Sequence, residues 1–265
     1  MFLCPCCRKR LFPEGRSLVC ENRHTYDFAR EGYVNLLPVQ KKHARDPGDT
    51  KEMVEARRAF LDRGFYAPFR ARARALLEEA AEPGDVYLDA GCGEGYYTRV
   101  LAEGMRSFAF DISKSAVRAA AKRDKKTLYA VAGSYDAPVE DRSVGFLSAV
   151  FSPIAAEEFR RIVRPGGFLL IAVPTERHLY GLKELLYDKP YENLYRETDY
   201  PGFRRVKRVR EEGVLETEEP DVIRALFAMT PYFWKSSPES SRRAASLEKL
   251  STEIGFDFIL YRREE

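Results

Sequence analysis

From Val86 to Val173 the chain alternates short, wholly apolar runs with stretches in which apolar residues recur every three to four positions. The runs read as buried strands over 86–90, 107–111, 127–132, 144–150 and 167–173, and the periodic stretches as helices over 96–104, 114–124 and 155–163. Strands separated by helices in this order predict a parallel, doubly wound sheet with helices on both faces. Downstream, a strand over 204–210, helices over 219–228 and 238–251, and a final strand over 255–262 fit the rest of such a sheet. Upstream, Thr50 or Asp49 can cap a helix from Lys51 to Arg63 that stops at Gly64, and a second helix runs from Pro68 to Ala81. Polarity, Pro47 and Gly48 make Gln40 to Thr50 a linker. The chain therefore divides into a small module over 1–38, a linker with two leading helices over 39–84, and a main domain over 85–265.

Composition narrows this only slightly. At 265 residues, 45% hydrophobic and 32% charged, the chain suits one large domain with an appendage and excludes wholesale disorder. A net charge of +3 does not by itself announce a nucleic-acid binder, so any basic surface has to come from local clustering. No apolar run approaches the roughly 20 residues of a membrane span, and the N-terminus lacks a signal-peptide layout, so a cytoplasmic location without membrane partners is expected.

Four of the five cysteines fall in the first twenty residues. Cys4, Cys7, Cys20 and His24 have the spacing C-x2-C-x12-C-x3-H, two close pairs separated by a hairpin-length gap, as a closed tetrahedral zinc site requires. Cys6 is an alternative to Cys7, although C-x2-C lets both thiolates approach one metal. So short a segment cannot bury enough apolar area alone, and the metal has to fold it. Arg8, Lys9, Arg10, Arg16, Arg23 and Arg30 surround the module with cations, either a phosphate-contacting face or a solvated one.

The main domain opens on VYLDAGCGEGYYT: a strand tipped by Asp89, then Gly91, Gly93 and Gly95 feeding a helix near Tyr96. Bare backbone there lets a ligand's polar atoms approach closely, and the helix start adds free N–H groups. The spelling D-x-G-x-G-x-G, unlike the G-x-G-x-x-G of dinucleotide binders, resembles motif I of the class I S-adenosylmethionine methyltransferases. Asp111, at the tip of the next strand, is placed to accept hydrogen bonds from ribose hydroxyls, or to cap the following helix. Further ligand-facing loops follow the later strands: AGSYD at 132–136, Phe151, Ser152 and Pro153, and PTERHL with His178, while Tyr66 and Trp234 flank helices able to close over the site. Cys92 reads as a small packing residue rather than a nucleophile.

Taken together, CPCC…CENRH, AREGYVNLLPVQ, RDPGD, ARRAFLD, DAGCGEGYYT, DISKSAVRAAAKR, VRPGG, RHLYGLKELLY and MTPYFW resemble the 23S rRNA guanine-N1 methyltransferases of the RlmA or RrmA type over nearly the whole chain. That resemblance implies a class I S-adenosylmethionine methyltransferase fold, a Rossmann-like doubly wound sheet, with an N-terminal zinc-binding module, acting as a homodimer on a 23S rRNA hairpin near the peptide tunnel. It implies zinc on Cys4, Cys7, Cys20 and His24, and S-adenosylmethionine against Asp89, Gly91, Gly93, Gly95, Tyr97, Thr98 and Asp111, with Tyr66 and His178 at cofactor-facing positions. Removing the N1 proton calls for an acceptor that the resemblance leaves unnamed; Asp136 and His178 are the candidates. The competing readings are a small-molecule methyltransferase and a non-catalytic zinc and RNA binder that holds the cofactor.

Overall fold

A computed structural model describes residues 1–38, 47–194, 198–230 and 232–265, with the side chains of Trp234 and Lys235 outside the description. Most of the expected linker, and the Trp234 side chain placed near the site, lie outside the described residues.

The N-terminal module is a three-stranded antiparallel sheet of β1 (Leu11–Glu14), β2 (Ser17–Cys20) and β3 (Thr25–Asp27). The strand that follows, β4 (Tyr33–Asn35), leaves the module and joins the main sheet. Helices α1 (Lys51–Leu61) and α2 (Ala67–Ala80) lead into β5 (Val86–Ala90), α3 (Thr98–Leu101), β6 (Arg106–Asp111), α4 (Lys114–Arg123) and β7 (Leu128–Val131). Then come β8 (Val144–Val150), α5 (Ala156–Ile162), β9 (Val163–Pro174), α6 (Tyr180–Leu186) and β10 (Phe203–Thr217). The chain ends with α7 (Pro220–Met229), α8 (Tyr232–Lys235), α9 (Pro238–Ala245) and β11 (Leu250–Arg263).

The main sheet has eight strands in the order β10-β11-β9-β8-β5-β6-β7-β4. It is not wholly parallel, as the element order had predicted: β11 runs antiparallel to both neighbours, β9 and β10. The pleat sorts side chains by parity. Phe256, Phe258 and Leu260 of β11 enter the core beneath α2, α6 and α7, whereas Ile259 and Tyr261 enter the core on the opposite face with α5. That second core also holds Phe2, Leu18, Val34 and Leu36, so the N-terminal module is packed onto the domain, with Phe2 edge-on to Phe108 at 5.5 Å.

Four local expectations are changed or narrowed. The helix expected over 238–251 ends at Ala245, because from Leu250 burial alternates and Thr217 to Gly213 of β10 supply an antiparallel partner. The helix after the glycine loop shrinks to Thr98–Leu101. Thr50, rather than Asp49, caps α1 by accepting from the Met53 N–H, and Ser113, rather than Asp111, caps α4 by accepting from Ala116.

Candidate functional site: a cavity at the strand tips beside a cysteine–histidine cluster

Open sheets bind ligands outside the carboxyl ends of their strands, and here β5, β6, β7, β8 and β9 all point into one cavity of about 1410 Å³. The module closes one side of it with Pro5, Leu36, Leu37 and Pro38, and the segment after α6 contributes Tyr191, Asn193 and Leu194. Of ten large apolar side chains exposed among the described residues, five line this cavity: Ile112, Tyr135, Phe151, Tyr191 and Leu194. Exposed apolar groups collected at one mouth mark a binding surface.

Asp89, next to last in β5, is fully enclosed. Its Oδ2 accepts from Thr98 Oγ1 at 2.6 Å and its Oδ1 from Ser148 Oγ at 2.9 Å. Burial pushes its carboxyl up to about 6, against those two hydrogen bonds. The glycines then divide the work. Gly91 (φ +83°) passes so close to the β8 loop that a Cβ would lie 2.3 Å from Ser152 Cβ, whereas a Cβ on Gly93 (φ +53°) would meet nothing within 4 Å and would project into open space. Gly95 lies off the cavity, against Ala120 and the Tyr129 hydroxyl. Thr98 is also off the cavity wall, its hydroxyl given to Asp89.

Asp111 lines the cavity at the tip of β6. It accepts from the Gly93 N–H at 2.9 Å and the Ser113 N–H at 2.8 Å, and burial raises its pKa despite both bonds. Ser113 Oγ donates to the Asp49 carbonyl at 2.7 Å, which draws the 47–50 segment over this corner, and Arg57 of α1 ion-pairs with Asp49.

The far wall is aromatic. Tyr66, at the start of α2, packs edge-on to Phe60, Phe69 and Phe256, and its hydroxyl lies 3.4 Å from His178 Nε2. His178 Nδ1 accepts from the Gly255 N–H at 3.2 Å, so the Nε2 nitrogen carries the proton of the neutral ring. Burial, reinforced by the Lys183 ammonium, lowers its pKa to about 3. Phe151 has a left-handed backbone (φ +54°), unusual for a bulky residue, and leans on Phe256 with ring centroids 4.6 Å apart. Seven of the nine cofactor candidates thus converge on the cavity: Tyr66, Asp89, Gly91, Gly93, Tyr97, Asp111 and His178.

The sequence missed Asn193, Tyr232 and Phe256 as wall residues. Asn193 Nδ2 donates to the Thr175 and His178 carbonyls, and its Oδ1 accepts from the enclosed Lys183 ammonium at 2.7 Å. Asn193 and Phe256 carry no motif or spacing, and Tyr232 is legible only as part of MTPYFW; the chain after α6, the chain after α7 and β11 itself bring them to the cavity.

Beside the mouth, the ligand atoms of Cys4, Cys7, Cys20 and His24 lie within 4.8 Å of one another. Cys7 Sγ is 3.7 Å from Cys20 Sγ, and His24 Nδ1 is 3.4 Å from Cys4 Sγ and 3.5 Å from Cys20 Sγ. Tetrahedral zinc with Zn–S near 2.3 Å and Zn–N near 2.05 Å requires edges of about 3.8 and about 3.5 Å, so the donors fit the ion. Two turns with arginines in left-handed conformation, Arg8 (φ 58°) and Arg23 (φ 64°), shape the two halves of the cluster. Burial raises the Cys4 thiol, but the Tyr26 hydroxyl and the N–H groups of Cys7 and Cys6 bring it down to about 6, favouring the thiolate a metal needs. Cys6 is exposed and outside the cluster.

Comparison with known proteins resolves the family. The chain is 39% identical over 261 residues to the 23S rRNA (guanine(748)-N(1))-methyltransferase of Streptomyces fradiae, covering 92% of this chain and 90% of that protein. It belongs to the 23S rRNA (guanine-N1)-methyltransferase family. YxjB of Bacillus subtilis (strain 168), provisionally named for the same family, is 29% identical with 98% of this chain and 96% of that protein covered. A family model described as RlmA, N-terminal, a zinc ribbon, matches residues 2–45, and a methyltransferase-domain model matches 88–171. A solved Bacillus halodurans C-125 protein, provisionally titled a methyltransferase, shares the fold at a TM-score of 0.51 and 14% identity, over 72% of this chain and 99% of that one. The family's two cofactors are zinc and S-adenosylmethionine. The open space at Gly93, beside the Asp111 carboxylate, suits the second as the cysteine–histidine edges suit the first. Among the described residues no helix is long and apolar enough to cross a membrane.

Proposed function

We propose that this chain transfers a methyl group from S-adenosylmethionine to N1 of a guanine in 23S rRNA. The observation that carries the reading is the 39% identity to a guanine-N1 enzyme, which extends over the ribbon and the catalytic domain alike. When bound, S-adenosylmethionine supplies an already activated methyl, so the protein's work is alignment rather than covalent catalysis. Asp111 takes the ribose hydroxyls, and Gly93 leaves the space in which the donor lies. Tyr66 and His178 wall the reaction from water. Tyr135, Phe151 and Tyr191 at the mouth offer faces on which an unstacked base can lie, which N1 chemistry requires because a stacked, paired N1 is out of reach.

His178 is poorly suited to receive the N1 proton: one ring nitrogen already accepts a backbone N–H, and burial opposes the imidazolium. Asp136 at the mouth is the better acceptor. Arg8 of the ribbon lies 3.4 Å from its Oδ1, an arrangement that ties the zinc module to the reacting edge of the site. The ribbon's cations then contact phosphates of the same RNA hairpin near the peptide tunnel, and two copies of the cytoplasmic protein embrace it as a homodimer.

Incubation of the protein with methyl-labelled S-adenosylmethionine and unmodified 23S rRNA fragments tests the activity. Label should enter one guanine, and reverse transcription should stop there, since N1 methylation blocks pairing. Absence of label in every guanine of the fragments would refute the proposal.

A further inference from the structure

Lys183, in the middle of α6, has no exposed surface, a rare condition for a lysine, and its ammonium takes no carboxylate as a hydrogen-bond partner among the described residues. Burying an ammonium is costly unless polar groups replace the water it loses. Two oxygens and two rings do so here. Its Nζ donates to the Tyr191 carbonyl at 2.8 Å and to Asn193 Oδ1 at 2.7 Å, and it lies 4.4 Å from the centre of the Tyr191 ring and 5.3 Å from that of Tyr232.

Both oxygens belong to residues 187–194, which follow α6 without regular structure and supply Tyr191, Asn193 and Leu194 to the cavity wall. Tyr191 is 50% exposed and Leu194 93%, so apolar burial does little to fix this stretch. Polar bonds fix it instead. Besides meeting the lysine, Asn193 gives its backbone N–H to the Glu176 carbonyl at 2.8 Å and its Nδ2 to the Thr175 and His178 carbonyls, and the Tyr232 hydroxyl reaches Asn193 Oδ1 at 3.4 Å. The loop after β9, the 187–194 stretch and α8 therefore meet around one ammonium, which lies behind the residues that line the cavity. Its platform is firm. The Gly181 and Leu182 N–H groups of α6 are bound by the Glu253 and Thr252 side chains of β11, and Leu182 is buried.

We propose that Lys183 is a positioning residue for methyl transfer, fixing from behind the wall the stretch that presents Tyr191 to the acceptor base. The inference rests on the reading of this cavity as the place where a guanine is methylated. A base lying on a wall that shifts leaves the in-line geometry, and a misplacement of about 1 Å can cost roughly 100-fold in rate. The rival role is structural only, in which the lysine helps the domain to fold and an uncharged chain of similar length serves as well.

Lys183→Met keeps the bulk and removes the ammonium. In the zinc-loaded chain, hydrogen exchange read by mass spectrometry should show the 187–194 amides exchanging about tenfold or more faster than in the wild type. On unmodified 23S rRNA fragments kcat should fall at least about tenfold, while KM for the RNA and calorimetric affinity for S-adenosylhomocysteine stay within about threefold. Asn193→Ala cuts the same tether at its other end and should do likewise; it decides the matter if Lys183→Met does not fold. The double variant should be no more than about threefold slower than the worse single one, as for groups that act as a unit. Unchanged exchange, wild-type kcat in the variants, or losses that multiply in the double variant overturn the proposal. So does a fall in S-adenosylhomocysteine affinity as large as the fall in kcat, the mark of general disorder. A wild-type chain that methylates no guanine refutes the reading of the cavity and this inference with it, whereas an active wild type with equally active variants refutes the inference alone.

Discussion

Two glycines two residues apart make opposite predictions, and Gly91 gives the sharper one. A methyl group on Gly91 meets the strain of a positive φ, about 1–2 kcal/mol for an L-residue. It also meets Ser152, whose Cβ and Oγ lie 2.3 and 2.8 Å from the new Cβ; the next atom, Ser152 Cα, is at an ordinary 3.7 Å. Overpacking of this kind costs about 1–3 kcal/mol. Gly91→Ala should therefore destabilise the protein by roughly 2–5 kcal/mol, the sum of those ranges. Ser152→Gly alone loses the 2.7 Å bond to the Ala90 carbonyl and a side chain, roughly 1–2 kcal/mol. In the double variant the steric part vanishes while the φ strain remains, so it should be more stable than additivity predicts by about 1–3 kcal/mol. Urea unfolding of the four proteins measures this coupling. If the two effects add to within about 0.5 kcal/mol, the close approach of the first glycine to the β8 loop is not what requires glycine there.

Gly93→Ala has no steric partner. It should change unfolding free energy by no more than about 1–2 kcal/mol, the φ strain alone, yet weaken S-adenosylhomocysteine at least tenfold in calorimetry, an outcome that an empty loop would not give. Asp89 predicts a pH dependence. Its folded pKa, about 6, stands above the 3.8 of an ordinary carboxyl, so the folded state binds the proton more tightly. The stability this provides is full below about pH 4 and is lost as pH rises toward about 6, on the order of 3 kcal/mol in all. Asp89→Asn should remove that slope from the difference between the two stability–pH curves, and parallel curves would show that the carboxyl is not held up. Asp136→Asn should lower kcat at least tenfold with calorimetric S-adenosylhomocysteine affinity unchanged; full activity across neutral pH would mean that another group receives the proton. Zinc removal by a strong chelator should release one metal per chain and melt the ribbon. Because β4 belongs to the main sheet, near-UV signals from the catalytic domain should shift as well, whereas a ribbon that hangs free would leave them unchanged.

The sequence by itself determined the chemistry that depends on near neighbours. Cys4, Cys7, Cys20 and His24 are legible because two ligands on one turn must be separated by only two or three intervening residues. The D-x-G-x-G-x-G loop is legible because backbone exposure requires glycine at fixed steps after a strand. The β5–α3–β6 succession follows from local hydrophobic period. Tertiary structure decided what depends on returning chain. It reversed β11, drawing Leu250 and Ser251 out of an expected helix by offering β10 as a partner. It placed β4 at the edge of the main sheet and so made the zinc ribbon a wall of the cavity. It also turned Thr98 inward to Asp89, away from the ligand space, and buried Arg70 Nη1, Glu94 Oε1, Tyr96 Oη and Tyr97 Oη without a hydrogen-bond partner among the described residues. Local spacing can specify which atoms a short loop presents, but whether a polar atom is buried, and whether it finds a partner there, is settled by segments far away in the chain that pack against it.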